Sequence, residues 1–169
     1  MKKKELETYN MIITRHGDVF AEINPLTTGQ APDFTLTDLN QNPVTLSKLT
    51  DPIIISVFPD INTSVCALQT KHFNVAAAAN QAISFLSISN NTAKEQANWC
   101  AAEGVDMTIL SDEKNVFGEL YGLVLTEANL LARSVYVIKD GQIIYSEILS
   151  EMTNEPNYDK ALEVANSAI

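Results

Sequence analysis

The stretch Ile53-Ile54-Ile55-Ser56-Val57-Phe58-Pro59-Asp60-Ile61-Asn62-Thr63-Ser64-Val65-Cys66 decides how this chain is read. Its first six residues are nearly continuous in apolar, β-branched character, with no alternation of polar positions. That is the pattern of a strand buried on both faces, found where helices cover a parallel sheet. Pro59 ends the run, because it has no N–H to give to a ladder. An alanine-rich stretch from about Ser64 to Asn80 then favours a helix. Strand, short loop and helix form the first half of a β-α-β unit, so the segment predicts an α/β domain.

Downstream, Ile83 to Ile88 reads as a second buried strand. Thr92-Ala93-Lys94-Glu95 has the form of a capping box and opens a helix that should stop at Gly104. Met107 to Leu110 gives a short strand, and Asp112 to Tyr121 a short helix closed by Gly122. Ser134 to Lys139 and Gln142 to Leu149 flank Asp140-Gly141 as a hairpin, and a last helix runs from Tyr158 to Ala168. Upstream, two apolar runs between Met11 and Ile23 flank Arg15-His16-Gly17-Asp18 as an N-terminal β-hairpin. Gly29 to Pro32 reads as a loop, while Phe34 to Thr37 and Val44 to Leu46 read as short strands. The expected fold is a thioredoxin-like α/β domain with a mixed central sheet flanked by helices. It should span residues 1–169 as one domain, with 1–10 a flexible leading segment.

A length of 169 residues suits one hydrophobic core, and a net charge of -10 disfavours nucleic acid and anionic membrane surfaces as partners. Met1-Lys2-Lys3-Lys4 is followed by polar residues rather than an apolar signal core, and Ile53–Phe58 is too short to cross a bilayer. These features predict a cytoplasmic protein that does not enter membranes. Two cysteines, Cys66 and Cys100, are too few for a secreted disulfide framework and form no Cys-x-x-Cys. His16 and His72 lie far apart without metal-ligand spacing, so neither a metal nor a cofactor is expected.

Cys66 falls in the first turn of its helix, where unpaired N–H groups and the helix dipole favour a thiolate. Thr63 stands three residues earlier and can bring a hydroxyl near the sulfur. Pro59 can wall off the site without adding an unpaired donor. Against this stands the ordinary fate of a lone cysteine, which is to pack as a small inert hydrophobe. His72 lies about 1.7 helical turns beyond Cys66, on another face, and reads as a surface or packing residue.

Pro59-x-x-x-Thr63-x-x-Cys66 resembles the active-site pattern of the peroxiredoxins. Trp99-Cys100-Ala101-Ala102-Glu103-Gly104, Leu131-Ala132-Arg133-Ser134-Val135 and Glu155-Pro156-Asn157-Tyr158-Asp159 narrow the resemblance to the thiol peroxidase branch, whose two cysteines pair within one subunit. It extends from about Leu36 to the C-terminus. By that resemblance Cys66 is the peroxidatic cysteine and Cys100 the resolving one, Thr63 and Arg133 bind the peroxide oxygens, and Pro59 shields the pocket. The resemblance further implies a hydroperoxide substrate, a thioredoxin-type protein reductant and a homodimer. Independently, Arg133 follows Leu130-Leu131-Ala132 at the start of a buried strand, where an unpaired charge is costly without a task; a guanidinium reaching the surface from a strand end is the alternative. Asn62, where an aspartate is expected, Lys71-His72 in place of an Arg-Lys pair, a long Arg15–Asp18 hairpin tip and residues 1–10 depart from the pattern. A peroxide sensor and a non-catalytic interaction domain remain as other readings of the same cysteines.

Overall fold

The computed structural model describes residues 10–169, and the expected leading segment, apart from Asn10, lies outside them. A hairpin opens the fold, with β1 (Met11–Arg15) paired to β2 (Asp18–Ile23). Its tip is tighter than the sequence suggests. Arg15 pairs with Asp18 across the strands, so only His16 and Gly17 turn, both at positive φ, as a two-residue hairpin turn requires.

The main sheet has eight strands: β3 (Gly29–Gln30), β4 (Thr35–Asp38), β5 (Pro43–Thr45), β6 (Ile53–Val57), β7 (Ser84–Ser89), β8 (Thr108–Ser111), β11 (Ser134–Lys139) and β12 (Gln142–Ile148). Their order is β3-β12-β11-β6-β7-β8-β4-β5. The strand that the sequence places at the centre, β6, is buried along its whole length, parallel to β7 and antiparallel to β11. β9 (Val124–Leu125) and β10 (Leu130–Leu131) make a separate two-stranded ribbon. The helices are α1 (Ser64–Ala79), α2 (Ala93–Glu103), α3 (Val116–Tyr121) and α4 (Tyr158–Ser167).

Alternation along the strands divides the core. Ile53, Ile55, Val57, Tyr136 and Ile138 point to one face, where Phe117 and Tyr121 of α3 and Ile13 and Ile23 of the hairpin meet them. Ile54, Val135 and Val137 point to the other, against Phe73 and Ala76 of α1 and Ala161 and Ala165 of α4. α2 lies beside α1, joined to it by the Lys71–Glu103 ion pair at 2.6 Å.

Two expectations about elements change, and one element appears that the sequence does not announce. Gly29-Gln30, read as loop, forms an edge strand because β12 offers its free side to it. The β9–β10 ribbon has only two residues a side, too few to show a period. α3 begins at Val116 rather than Asp112, because the Asp112 carboxylate accepts the Phe117 and Gly118 N–H groups and so closes the helix start from outside. The Thr92–Glu95 capping box forms in full, and Gly104 ends α2 at φ 72°, the left-handed position that glycine fills readily.

Candidate active site

The loop from Phe58 to Thr63 leaves the carboxyl end of β6, the edge at which open α/β sheets take their ligands. A cavity of about 420 Å³ opens there, lined by Pro59, Asp60, Thr63, Ser64, Val65 and Arg133, with Arg15 and His16 of the hairpin tip among the residues on its rim. Three of the residues singled out in the sequence therefore share one cavity. Cys66 does not itself line the cavity; next in sequence to Val65, which does, it is fully buried and clusters with Phe58 and Ile61. Thr63 occupies the N-cap position of α1 but makes no side-chain cap, and no acidic residue stands in the first turn. The first N–H groups of α1 thus remain suited to an anion. The Thr63 hydroxyl donates to Asp60 O at 3.0 Å, which leaves its oxygen as an acceptor.

Arg133 is 3% exposed and sits one residue before β11. Its Nε donates to Met152 O and its Nη1 to Gln69 Oε1, both at 2.9 Å. Among the described residues the ion pairs are Lys71–Glu103 and Lys160–Glu163, and neither reaches Arg133. A cation taken from water against two neutral acceptors is an expensive arrangement, and it keeps further guanidinium donors for an incoming anion. Gln69 holds this geometry. Its Nε2 donates to Ser56 Oγ at 2.8 Å and to Val57 O at 3.1 Å, which fixes Oε1 toward the guanidinium.

Gln69 and Met152 escape a reading of the sequence. A glutamine in mid-helix gives no sign of being buried, and a backbone carbonyl carries no side-chain signal at all. The hairpin-tip residues are missed for a different reason, since a turn reveals nothing about what it folds over. His72 is exposed and stacks on Tyr158 with ring centroids 3.8 Å apart, as befits a surface packing residue. The Tyr158 hydroxyl is pushed above its ordinary range, first by burial and then by its bond to Glu155, while Arg133 pulls the other way.

Cys100 is not part of the cavity. It sits in the last turn of α2, 9% exposed, packed with Val105 and Ile109. Burial raises its thiol pKa above the ordinary value. Both cysteines are free thiols and fall in separate apolar clusters, and Trp99 packs against both clusters.

Residues 27–146 match the AhpC/TSA family. Among curated proteins, the thiol peroxidase of Bacillus subtilis strain 168 is 41% identical over 144 residues, covering 83% of this chain and 86% of that protein. The thiol peroxidase of Staphylococcus saprophyticus is 45% identical over 137 residues, covering 79% and 83%. Among solved structures, a peroxiredoxin-like protein from Aquifex aeolicus superposes with a TM-score of 0.83 at 22% identity, over 94% of this chain and 97% of that one. The thiol peroxidase from Chromobacterium violaceum gives 0.78 at 14% identity, over 93% and 96%. At these identities the two structures speak to the fold, whereas the family match and the curated relatives speak to descent: the chain belongs to the AhpC/TSA family.

Proposed function

We propose that this protein is a thiol peroxidase that reduces hydrogen peroxide and organic hydroperoxides through Cys66. The observation that carries the reading is Arg133, a buried cation without a carboxylate partner among the described residues, sharing a cavity with Pro59 and Thr63 above the first turn of the Cys66 helix. Family membership and the curated relatives support the same conclusion.

In this mechanism the Cys66 thiolate attacks one oxygen of the hydroperoxide in line with the O–O bond. The bond breaks, water or an alcohol leaves, and Cys66 becomes a sulfenic acid. Arg133 and the α1 N–H groups stabilise the charge that develops on the departing oxygen, and the Thr63 oxygen accepts a hydrogen bond from the hydroperoxide O–H. The proton given up when the Cys66 thiol ionises returns to the departing oxygen. Pro59 excludes water without needing a hydrogen bond of its own. Cys100 then condenses with the sulfenic acid to give an intramolecular disulfide and water. A thioredoxin-type dithiol protein restores the two thiols by exchange, and a reducing compartment such as the cytoplasm suits the resting state. A homodimer completes the proposal, and exposed Val116 and Leu120, one turn apart on α3, offer an apolar patch for it.

The test is a steady-state assay of hydroperoxide consumption with thioredoxin and its reductase. Wild type should turn over repeatedly, and Cys66→Ser should fall to the uncatalysed rate. Stoichiometric oxidation without turnover would identify a sensor instead, and wild-type consumption by Cys66→Ser would overturn the assignment of the nucleophile.

A further inference from the structure

Asn91 makes the most connected side-chain contact between the two cysteine-bearing parts of the fold. It follows β7, just before the Thr92 cap of α2. Its Oδ1 accepts the Ile61 N–H at 2.8 Å and the Ser89 hydroxyl at 2.8 Å. Its Nδ2 donates to Asp60 Oδ1 at 3.0 Å and to Glu95 Oε1 at 3.3 Å. Both donors and both acceptor positions of the amide are thus occupied. Asp60 and Ile61 belong to the loop before Cys66, and Ile61 packs on Cys66 itself. Glu95 closes the capping box of α2, and Ser89 also accepts from buried Gln96, which lies one turn before Cys100. One amide therefore fastens the peroxidatic loop to the start of the helix that ends in the second cysteine.

The reaction requires that fastening to yield. A disulfide brings its Cα atoms to within about 7 Å and its sulfurs to about 2 Å, whereas here the cysteines occupy separate clusters with Trp99 packed against each. While α2 stays folded, Cys100 also remains a buried thiol. We propose that Asn91 is a positioning residue, a latch that holds the Cys66 loop against α2. Its release sets how the Cys66 sulfenic acid divides between disulfide formation and overoxidation. In the first outcome the sulfenic S–O bond breaks, an S–S bond to Cys100 forms, and the sulfenic hydroxyl leaves as water with the Cys100 proton. In the second, the O–O bond of another hydroperoxide breaks, its oxygen adds to the Cys66 sulfur to give a sulfinic acid, and an alcohol leaves. A firm latch lengthens the life of the sulfenic acid and favours the second outcome. The inference rests on the peroxidatic and resolving roles proposed for Cys66 and Cys100.

The experiment mixes reduced wild type, Asn91→Ala and Asn91→Asp with graded hydroperoxide, quenches with acid, and measures Cys66 sulfenic acid, sulfinic acid and Cys66–Cys100 disulfide by mass spectrometry. The first oxidation of Cys66 should proceed at the wild-type rate in both variants, which general loosening of the fold would not preserve. Disulfide formation should quicken about tenfold, as expected for losing a hydrogen bond to a charged group, and the sulfinic fraction should fall in step. Trp99 is the chain's one tryptophan, so its fluorescence follows opening in the same time course. An unchanged division between disulfide and sulfinic acid overturns the latch while leaving the peroxidase intact. Wild-type protein that oxidises neither cysteine overturns both. Should the variants fail to fold, amide exchange on wild type decides the matter: the Ile61 amide and the α2 amides near Cys100 should open as one unit, and independent opening rejects the proposal.

Discussion

At Arg133 the chain buries a cation against a carbonyl and a carboxamide, and the choice of neutral acceptors has a chemical consequence. In the proposed mechanism a carboxylate there would cancel the field that the reacting oxygens require, whereas Gln69 and Met152 direct the guanidinium without neutralising it. Arg133→Met should therefore lower kcat/KM by about 10²–10³, the scale of losing one donor to a developing oxyanion, while far-UV circular dichroism stays that of wild type. Gln69→Leu acts through Arg133, so it should cost less by itself and little more when added to Arg133→Met. That non-additivity in a double-mutant cycle is the measurement, and fully additive losses would show that Gln69 acts independently. Arg133 is legible in the sequence because a charge inside an apolar run stands out against its neighbours. Gln69 is not, since glutamine is an ordinary surface residue of helices and only the β6 groups beneath it, Ser56 Oγ and Val57 O, make it a buried one.

Among the elements, the N-terminal hairpin reaches the cavity by a route the sequence does not reveal. Its tip is held by Glu151, whose carboxylate accepts from the Thr14 hydroxyl at 2.8 Å, the His16 N–H at 3.0 Å, the Gly17 N–H at 2.9 Å and the Thr153 hydroxyl. The Thr153 hydroxyl, then the Gly17 N–H and the Thr14 hydroxyl, hold this carboxyl well below its usual range. A carboxyl depressed in the folded state contributes stability above its unfolded value, near 4.5, and loses that contribution as pH falls toward the folded value. The His16 and Gly17 amides should thus exchange progressively faster, after correction for intrinsic chemistry, as pH drops below about 4.5. In Glu151→Ala they should already exchange fast at neutral pH, and the acid-dependent part should vanish; exchange as slow as wild type in that variant would show that the tip is held by something else. Long elements with a clear period, such as β6 and α1, are readable from sequence because burial repeats along them. Contacts between distant short segments, such as Glu151 with the hairpin tip and β3 with β12, have no period to read and emerge only when the sheet assembles.

For the molecule as a whole, the arrangement of the two cysteines predicts how oxidation closes. Both lie within the body of the domain, on neighbouring helices rather than on a terminal tail, and Lys71–Glu103 already ties α1 to α2. Only two cysteines exist in the chain, so no third thiol competes for the sulfenic acid. The second cysteine of the same chain is also present at a local concentration that a partner molecule in dilute solution cannot match. The closed loop restrains the unfolded chain by roughly 4 kcal/mol on chain-entropy grounds, an advantage partly offset by whatever part of α2 must unwind. Wild-type protein treated with one equivalent of hydroperoxide should accordingly lose both free thiols and run as a monomer on a non-reducing denaturing gel. Cys100→Ser, with no internal thiol to trap the sulfenic acid, should accumulate it at Cys66 and pass to sulfinic acid as peroxide is raised. A ladder dominated by disulfide-linked dimer from wild type would place resolution between subunits. The Cys66 chemistry would survive that result, and α2 would still have to open, in the partner copy, because every copy buries Cys100 in the same helix.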